Sequence, residues 1–506
     1  MMKQFTNKRW LNAAMVMTIG GTMLAGCSTS TLEQKNTSVA ADTGVPTPIQ
    51  IMSIGGAETP KENSEVLKEI EKMTNTKLTI TWVPDSAYVD KANATLASGE
   101  LPQVMYTNAI KSPNIMNAIN AGAFWEIGPY LKEFPNLNKL DPDTMSSLAI
   151  DNKQYLLIRT RDSARHVVAY RKDWLTTLEL QEPKTLDDLY KVAKAFTEND
   201  PDKNGKNDTY GFTEINTLDT FNRNIAVYHG APLSFGITNN ALVPSFSTPE
   251  YLEGLKFYRK LFAEKIMNPD FVLINSKQRM EMMTKGKAGI IIAPDSDLIT
   301  IQKDAVKLDP KAEFAFLQGF TGPKGLKVSG TGGYLGGFLF AKNSIKTEAE
   351  LKKILGFFDK ISTQEGMTLL SRGIKDVDYK LVDGFVTPIP ERSDGRIADG
   401  AFNNLAVLHQ NVALPLKRTP VEDKVFSLVE ANNKIAIFDM ARAFNSQTKA
   451  EKGAQLDKTI NDARIKYIMG EIDESGYLKA VELWNTSGGN QVMKELNEEY
   501  QKSLKK

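Results

Sequence analysis

The chain has 506 residues, 41% of them hydrophobic and 24% charged, a balance ordinary for a globular protein with room for two or three domains. Lysine and arginine number 62 against 61 aspartates and glutamates, so no basic excess exists to hold a nucleic acid. A single cysteine excludes disulfides within the chain, and stability must come from an apolar core.

The start of the chain has three parts: the positive residues Lys3, Lys8 and Arg9, an apolar run from Trp10 to Ala25, and the tetrapeptide Leu24-Ala25-Gly26-Cys27. That is the layout of an export signal with small residues at its cleavage site. The run is too short and too rich in glycine and threonine to make a good membrane span. The tetrapeptide resembles a bacterial lipobox, whose cysteine is lipidated and becomes the mature N-terminus. Residues 1–26 are therefore expected to be a lipoprotein signal peptide, with Cys27 as the lipidation site and the membrane as a partner through the acyl anchor. Each buried methylene is worth about 0.8 kcal/mol to such an anchor. The alternative is an uncleaved anchor or a signal that ends elsewhere. Residues 27–48 are rich in Ser, Thr, Ala and Pro and are read as a disordered tether, with folding expected from Ile49.

From Ile49 onward, strand and helix patterns alternate. Ile49 to Met52 reads as a strand. Asn63 to Thr74 reads as a helix, with Val66, Leu67, Ile70 and Met73 on one face. Leu78, Ile80 and Trp82 alternate with threonines as in a strand. Asp90 to Ser98 reads as a helix closed by Gly99, and Gln103 to Tyr106 as a third strand. This β-α-β-α-β order predicts a parallel sheet with helices on its faces. Helix starts are expected at Thr185 with Asp188, at Thr248-Pro249-Glu250, and at Thr347 with Glu350. His166 to Tyr170, Ala288 to Ala293, Phe314 to Leu317 and Gly337 to Phe340 read as buried strands, and no fixed-period repeat is present.

Ala169-Tyr-Arg-Lys-Asp-Trp-Leu175 and Glu182-Pro-Lys-Thr-Leu-Asp-Asp-Leu-Tyr190 follow the first α/β half. Near the end stand Lys466-Tyr-Ile-Met-Gly-Glu-Ile472, Trp484, Gly488-Gly489, Val492 and Asn497-Glu-Glu-Tyr500. In this order the segments resemble the large extracellular solute-binding lipoproteins of carbohydrate ABC transporters, over nearly the whole chain. The resemblance implies an α/β, two-lobed, periplasmic-binding-protein-like fold with an interlobe ligand cleft. On that reading residues 49–165 plus 298–340 form an N-terminal lobe, and residues 166–297 plus 341–475 a C-terminal lobe. Residues 476–506 form a tail packing on the lobes. Crossings between lobes are expected near Arg161 to Tyr170, Ala293 to Asp297 and Leu339 to Ser344.

Asp200-Pro-Asp202-Lys-Asn204-Gly205-Lys206-Asn-Asp208 matches the first half of an EF-hand-type loop, with oxygen donors at alternate positions and glycine at the turn. Asp200, Asp202, Asn204, Lys206 (through its carbonyl) and Asp208 are the candidate ligands of a structural calcium. Gly211 stands where the bidentate glutamate belongs, and Thr209 stands where similar alginate-oligosaccharide-binding proteins carry an acid. A metal-free Asx-rich turn is the competing reading.

Sugar rings stack an apolar C–H face on aromatics, while their hydroxyls need polar partners, in a cleft beyond the carboxyl ends of strands. Trp82, Tyr106 with Asn108, and Tyr170 with Arg171 fall at or just past strand ends. Trp125, Tyr228 and Tyr334 lie in loops or turns that could reach the same place. Each could equally be a core or surface aromatic. Trp174 reads as packing. Gly332-Gly333-Tyr334-Leu335-Gly336-Gly337 fits neither a P-loop nor a dinucleotide fingerprint. The three histidines, His166, His229 and His409, lack zinc-site spacing, and no Gly-x-Ser-x-Gly elbow is present.

The resulting expectation is a lipid-anchored receptor on the extracytoplasmic face of the cell membrane, without catalytic cofactor or enzyme activity. It would deliver an oligosaccharide to the permease subunits of an ABC transporter by hinge closure. A surface carbohydrate hydrolase or lyase, and a sensor subunit for a membrane kinase, are the alternatives.

Overall fold

The structure is a computed structural model that describes residues 44–56, 58–390 and 399–505. The signal segment 1–26, Cys27 and most of the tether lie outside the described residues. The first strand begins at Thr47, two residues before the expected start.

In chain order the first strands are β1 (Thr47–Gly55), β2 (Thr76–Pro84), β3 (Val104–Thr107) and β4 (Leu157–Thr160). Next come β5 (His166–Arg171), β6 (Tyr210–Phe212), the hairpin β7 (Phe235–Thr238) and β8 (Ala241–Pro244), β9 (Ala288–Pro294) and β10 (Phe314–Leu317). The remainder are β11 (Val328–Ser329), β12 (Tyr334–Phe340), the hairpin β13 (Tyr379–Val382) and β14 (Phe385–Pro388), and β15 (Ala436–Ile437). Two larger sheets result: β2-β1-β3-β12-β4 and β10-β5-β9-β6.

β1 pairs in parallel with both β2 and β3, as the β-α-β-α-β pattern requires. The intervening helix Glu65–Thr74 buries Val66, Leu67 and Ile70 against the sheet and is capped by Ser64. The next helix begins five residues earlier than its apolar pattern indicates, at Asp85, and ends at Gly99 with φ of 73°. Thr185 and Asp188 form a reciprocal capping box. At the helix Glu348–Ile361, Thr347 caps through Glu350 N, whereas the Glu350 carboxylate reaches back to Lys346 N.

Two apolar cores follow these sheets. The first gathers residues from Ile49 to Ile158, then Phe338 to Leu370 and Phe402 to Ala413. The second lobe is filled by two adjoining clusters that run from Ala164 to Val328 and from Val425 to Tyr500. Lobe membership therefore differs from the sequence expectation. Residues 298–317 belong to the second lobe, where Leu298 and Ile301 are buried and β10 pairs with β5. Residues 341–413 lie with the first lobe instead, because β12 inserts antiparallel between β3 and β4 and brings the following helices with it. The crossings run through 161–165, 329–333 and 409–424, not through Ala293 to Asp297 or Leu339 to Ser344. Segments 476–484 and 490–503 pack on the second lobe alone, through Tyr477, Trp484, Val492 and Leu496.

Candidate functional site

A cleft of about 820 Å³ opens between the lobes, and residues of both line it. Its first-lobe wall is built from strand ends. β3 delivers Tyr106 and, one residue past its end, Asn108; β4 delivers Arg159 and, one residue past its end, Arg161; β12 begins with Tyr334. A register shift between Tyr334 and Gly337 bends β12 at this point. Gly336 has φ of 78°, and a Cβ there would stand 2.4 Å from the Thr107 carbonyl, so only glycine fits. Tyr106 is fixed at both ends: its hydroxyl donates to Leu335 O at 2.7 Å, and its carbonyl accepts from Tyr88 Oη at 2.7 Å.

The second-lobe wall has a different origin. Asp219 precedes a π-helical segment, Phe221–Ile225, whose Asn222 and Arg223 face the cleft. This segment is held from beneath by Glu214, which is fully buried. Its carboxylate accepts from the backbone N–H groups of Ile215 (2.9 Å) and Phe221 (2.9 Å) and from Tyr258 Oη (3.0 Å). Burial pushes the Glu214 carboxyl up, and the buried Arg279 guanidinium and those hydrogen bonds oppose it. Asp219 pairs with Arg223 at 2.6 Å. Burial would raise its carboxyl, but His166 and Arg223 prevail and hold it below the usual range.

Four arginines face this space: Arg159, Arg161, Arg223 and Arg442. Among the described residues, only Arg223 has a carboxylate partner. Arg159 bonds Asn404 Oδ1 (3.1 Å) and the carbonyls of Asn403 and Ala406, and it lies 5.6 Å from the Tyr106 ring centroid. Arg442 lies over the Phe438 ring, and Arg161 keeps a buried Nε without a hydrogen-bond partner. Burial lowers the guanidinium pKa of Arg161, as do its neighbours Arg165 and Arg223. The facing carboxylates are Asp85, Asp219 and Asp439. At the cleft, Lys111 of the first lobe donates to Arg442 O of the second at 2.7 Å, and burial pushes its ammonium down to about 8.

Of the eight sugar-contact candidates, Tyr106, Asn108 and Tyr334 line the cleft. The other five are placed elsewhere. Trp82 packs edge-on against Phe402, and Trp125 donates its indole N–H to Ile345 O at 3.0 Å. Tyr170 is buried, with its hydroxyl on Glu182. Arg171 is buried beside Asp173 and Trp174. Tyr228 is fully buried against Phe320. The cleft arginines were missed, although two of them, Arg159 and Arg161, stand two residues apart at a strand end, a signal available in the sequence.

At the acidic loop, Asn204 Nδ2 bridges Asp202 Oδ2 (2.9 Å) and Asp208 Oδ1 (3.2 Å), while Asp200 accepts from the N–H groups of Asn204 and Gly205. The carboxylates thus converge on one polar point, and burial together with Asp200 raises the Asp202 carboxyl. Asp208 also pairs with Lys287 at 2.6 Å. The twelfth position is closed to any side chain: a Cβ on Gly211 would sit 1.8 Å from Ala193 O. Thr209 turns inward, donating to Phe196 O. Among the described residues, no three His, Cys, Asp or Glu side chains gather closely enough to hold a metal by themselves. A cation here would need the Asn204 carbonyl, the Lys206 carbonyl and water as well.

Comparison with known proteins agrees with this geometry. Residues 56–361 match the family model for bacterial extracellular solute-binding proteins. Lipoprotein LipO of Bacillus subtilis (strain 168) is 37% identical over 99% of this chain and 100% of its own length. The polygalacturonan/rhamnogalacturonan-binding protein YtcQ of the same strain is 38% identical over 98% of this chain and 99% of its own. Among solved structures, the alginate-binding protein AlgQ2 without calcium ion superposes with a TM-score of 0.70 at 19% identity, covering 91% of this chain and 99% of that one. The chain belongs to the bacterial extracellular solute-binding protein family.

Proposed function

We propose that the chain is a lipid-anchored receptor that captures an acidic oligosaccharide and presents it to the permease of an ABC transporter. The observation that carries the ligand class is the cleft charge: Arg159, Arg161 and Arg442 face it with no carboxylate partner among the described residues. Guanidinium groups recognise carboxylates by two parallel hydrogen bonds, and such charge-assisted pairs are stronger than neutral ones. Tyr334, half-buried at the start of β12, supplies the aromatic component that the C–H faces of pyranose rings require, while the buried Tyr106 supports Arg159. The polygalacturonan/rhamnogalacturonan-binding relative supports a uronate ligand.

Both lobes touch a ligand only when the cleft is closed, so binding favours the closed state by its differential affinity. The receptor itself performs no chemistry in this reading. Cys27 would carry the acyl chains, and among the described residues no helix is long and apolar enough to cross a membrane. The loop of Asp200, Asp202, Asn204, Lys206 and Asp208 would hold a weak structural calcium, for want of the twelfth ligand. Calcium in the millimolar range should then raise the melting temperature, and Asp202→Ala should abolish the rise.

Calorimetric titration with trigalacturonate and with neutral maltotriose tests the ligand class. Trigalacturonate is expected to bind at least about 100-fold more tightly, and saturation at 100 times its Kd should add about 2.7 kcal/mol of stability. Equal affinities, or tighter binding of the neutral sugar, would remove the acidic assignment.

A further inference from the structure

A second cavity, of about 360 Å³, lies within the second lobe behind the cleft. It is large enough for a small-molecule site, which typically begins at roughly 300 Å³. Asn222 and Ser234 line both spaces, so the two adjoin at these residues. Four independent features distinguish this cavity from a packing defect.

A π-helical segment, Phe221–Ile225, borders it and contributes Asn222, and a kink at Gly488 (φ 142°) joins two helices just after the lining residue Trp484. π-Bulges recur at functional sites. Next, two buried polar atoms in the wall lack hydrogen-bond partners: Trp484 Nε1 and Arg464 Nε. Trp484 is only 3% exposed, and an unsatisfied buried donor costs about 1–3 kcal/mol. Third, Gly453 occupies the middle of the helix Gln447–Met469, where glycine costs about 1 kcal/mol relative to alanine. A Cβ there would meet only Lys449 Cγ of its own helix, at 3.5 Å. Packing does not require the glycine; its effect is to keep the space open.

Last, the charge is uncompensated. Among the described residues, Arg464 bonds neutral groups alone: Asn222 Oδ1, Tyr251 Oη at 2.8 Å and Asn461 Oδ1 at 3.2 Å. Lys449 lies 4.7 Å from the Phe235 ring at the rim, where Asp457 is the single carboxylate among the lining residues. Trp484 and Phe246 meet edge-to-face at 4.9 Å and form an aromatic wall.

We infer that this cavity is a second sugar subsite, which receives the terminal uronate ring of the oligosaccharide whose body lies in the cleft. The ring's C–H face stacks on the Trp484–Phe246 wall, its carboxylate meets Arg464, and a hydroxyl accepts from Trp484 Nε1. The inference rests on the acidic-oligosaccharide reading of the cleft.

The test is calorimetric titration of the full chain and of Gly453→Leu, which fills the cavity, with trigalacturonate and hexagalacturonate. Wild type is expected to bind the hexamer at least 10-fold more tightly than the trimer. Gly453→Leu is expected to lose that advantage while holding the trimer within about 2-fold. Equal wild-type affinities for the two lengths, or a variant that leaves the hexamer advantage intact, would overturn the subsite while leaving the cleft reading in place. Wild type that binds neither sugar would overturn both. Should Gly453→Leu fold poorly, the indole N–H resonance of Trp484, assigned by its loss in Trp484→Phe, gives an independent readout. It should move on adding hexamer and stay still with trimer; no movement with either refutes the subsite.

Discussion

The two walls of the cleft do the same work with unlike materials. The first-lobe wall is made of strand ends, and its side chains are held by a ladder: Tyr106 between Tyr88 and Leu335, and Arg159 against the carbonyls of Asn403 and Ala406. The second-lobe wall is a π-helical turn whose geometry depends on one buried carboxylate, Glu214. A wall built on a sheet distributes its support over many bonds. A wall built on a turn concentrates it in one group, and perturbation should separate the two.

The largest expected effect is therefore Glu214→Ala. It strands the buried N–H groups of Ile215 and Phe221, each at a cost of about 1–3 kcal/mol, and removes one of the two carboxylates that act on the buried Arg279, the other being Asp219. Chemical denaturation should show that loss, and ligand affinity should fall with it. A loss below about 1 kcal/mol would mean that the turn holds itself. The matching first-wall change, Gly337→Ala, forces a Cβ to within 2.3 Å of Leu157 O and should cost about 1–3 kcal/mol, shared by the β12–β4 ladder.

Affinity should sharpen the same contrast. Among the described residues Arg161 has no carboxylate partner, and its buried Nε is without a hydrogen-bond partner and can meet a ligand anion. A hydrogen bond to a charged group is worth about 1.5–3 kcal/mol, so Arg161→Ala should weaken trigalacturonate binding about 10- to 100-fold. Arg223 is already paired with Asp219, and Arg223→Ala should cost less than about 10-fold. The reverse order would place the ligand on the second wall. Smaller again is the contact between walls: Lys111→Ala removes the bond to Arg442 O and should weaken binding by roughly 3- to 10-fold, one neutral-acceptor hydrogen bond's worth.

The difference between the walls also explains what could be read in the sequence. Strand ends are legible, because alternation fixes where a strand stops and therefore which residue follows it. Tyr106 and Asn108 were placed at the cleft in this way, whereas Tyr334 was read as part of a turn. The π-helical turn leaves no periodic mark, so Asp219, Asn222 and Arg223 passed unnoticed. Long-range packing misplaced the other aromatics: Trp82 was claimed by Phe402, and Trp125 by the Ile345 carbonyl, partners more than two hundred residues away. The arginines carry the ligand chemistry, yet a count of 62 basic against 61 acidic residues conceals them. What matters is which guanidinium lacks a carboxylate neighbour, and only the folded chain decides that. The lobe boundaries failed for a topological reason, since nothing local announces that β12 will enter the first sheet antiparallel between β3 and β4.

The smallest effect belongs to the hinge, where both walls are joined. His409 Nε2 meets Asp162 Oδ2 at 3.0 Å, and Asn433 Nδ2 donates to Asp162 Oδ1 at 3.2 Å, which ties the 161–165 crossing to the 409–424 crossing. The hydrogen bond to Asp162 raises the His409 pKa, and the same bond lowers that of Asp162. A raised histidine contributes stability fully below its unfolded value near 6.5, and loses it as pH climbs through the folded value. A lowered aspartate contributes above its unfolded value near 3.9, and loses it as pH falls through the folded one. The pair is therefore complete between about pH 4 and pH 6.5. Both side chains are about a third exposed, so solvent screening limits the contribution to about 1 kcal/mol or less. Melting curves of wild type and His409→Gln should differ most near pH 5–6 and converge above about pH 8. A difference that persists undiminished at pH 9 would show that His409 steadies the hinge by shape and not by charge.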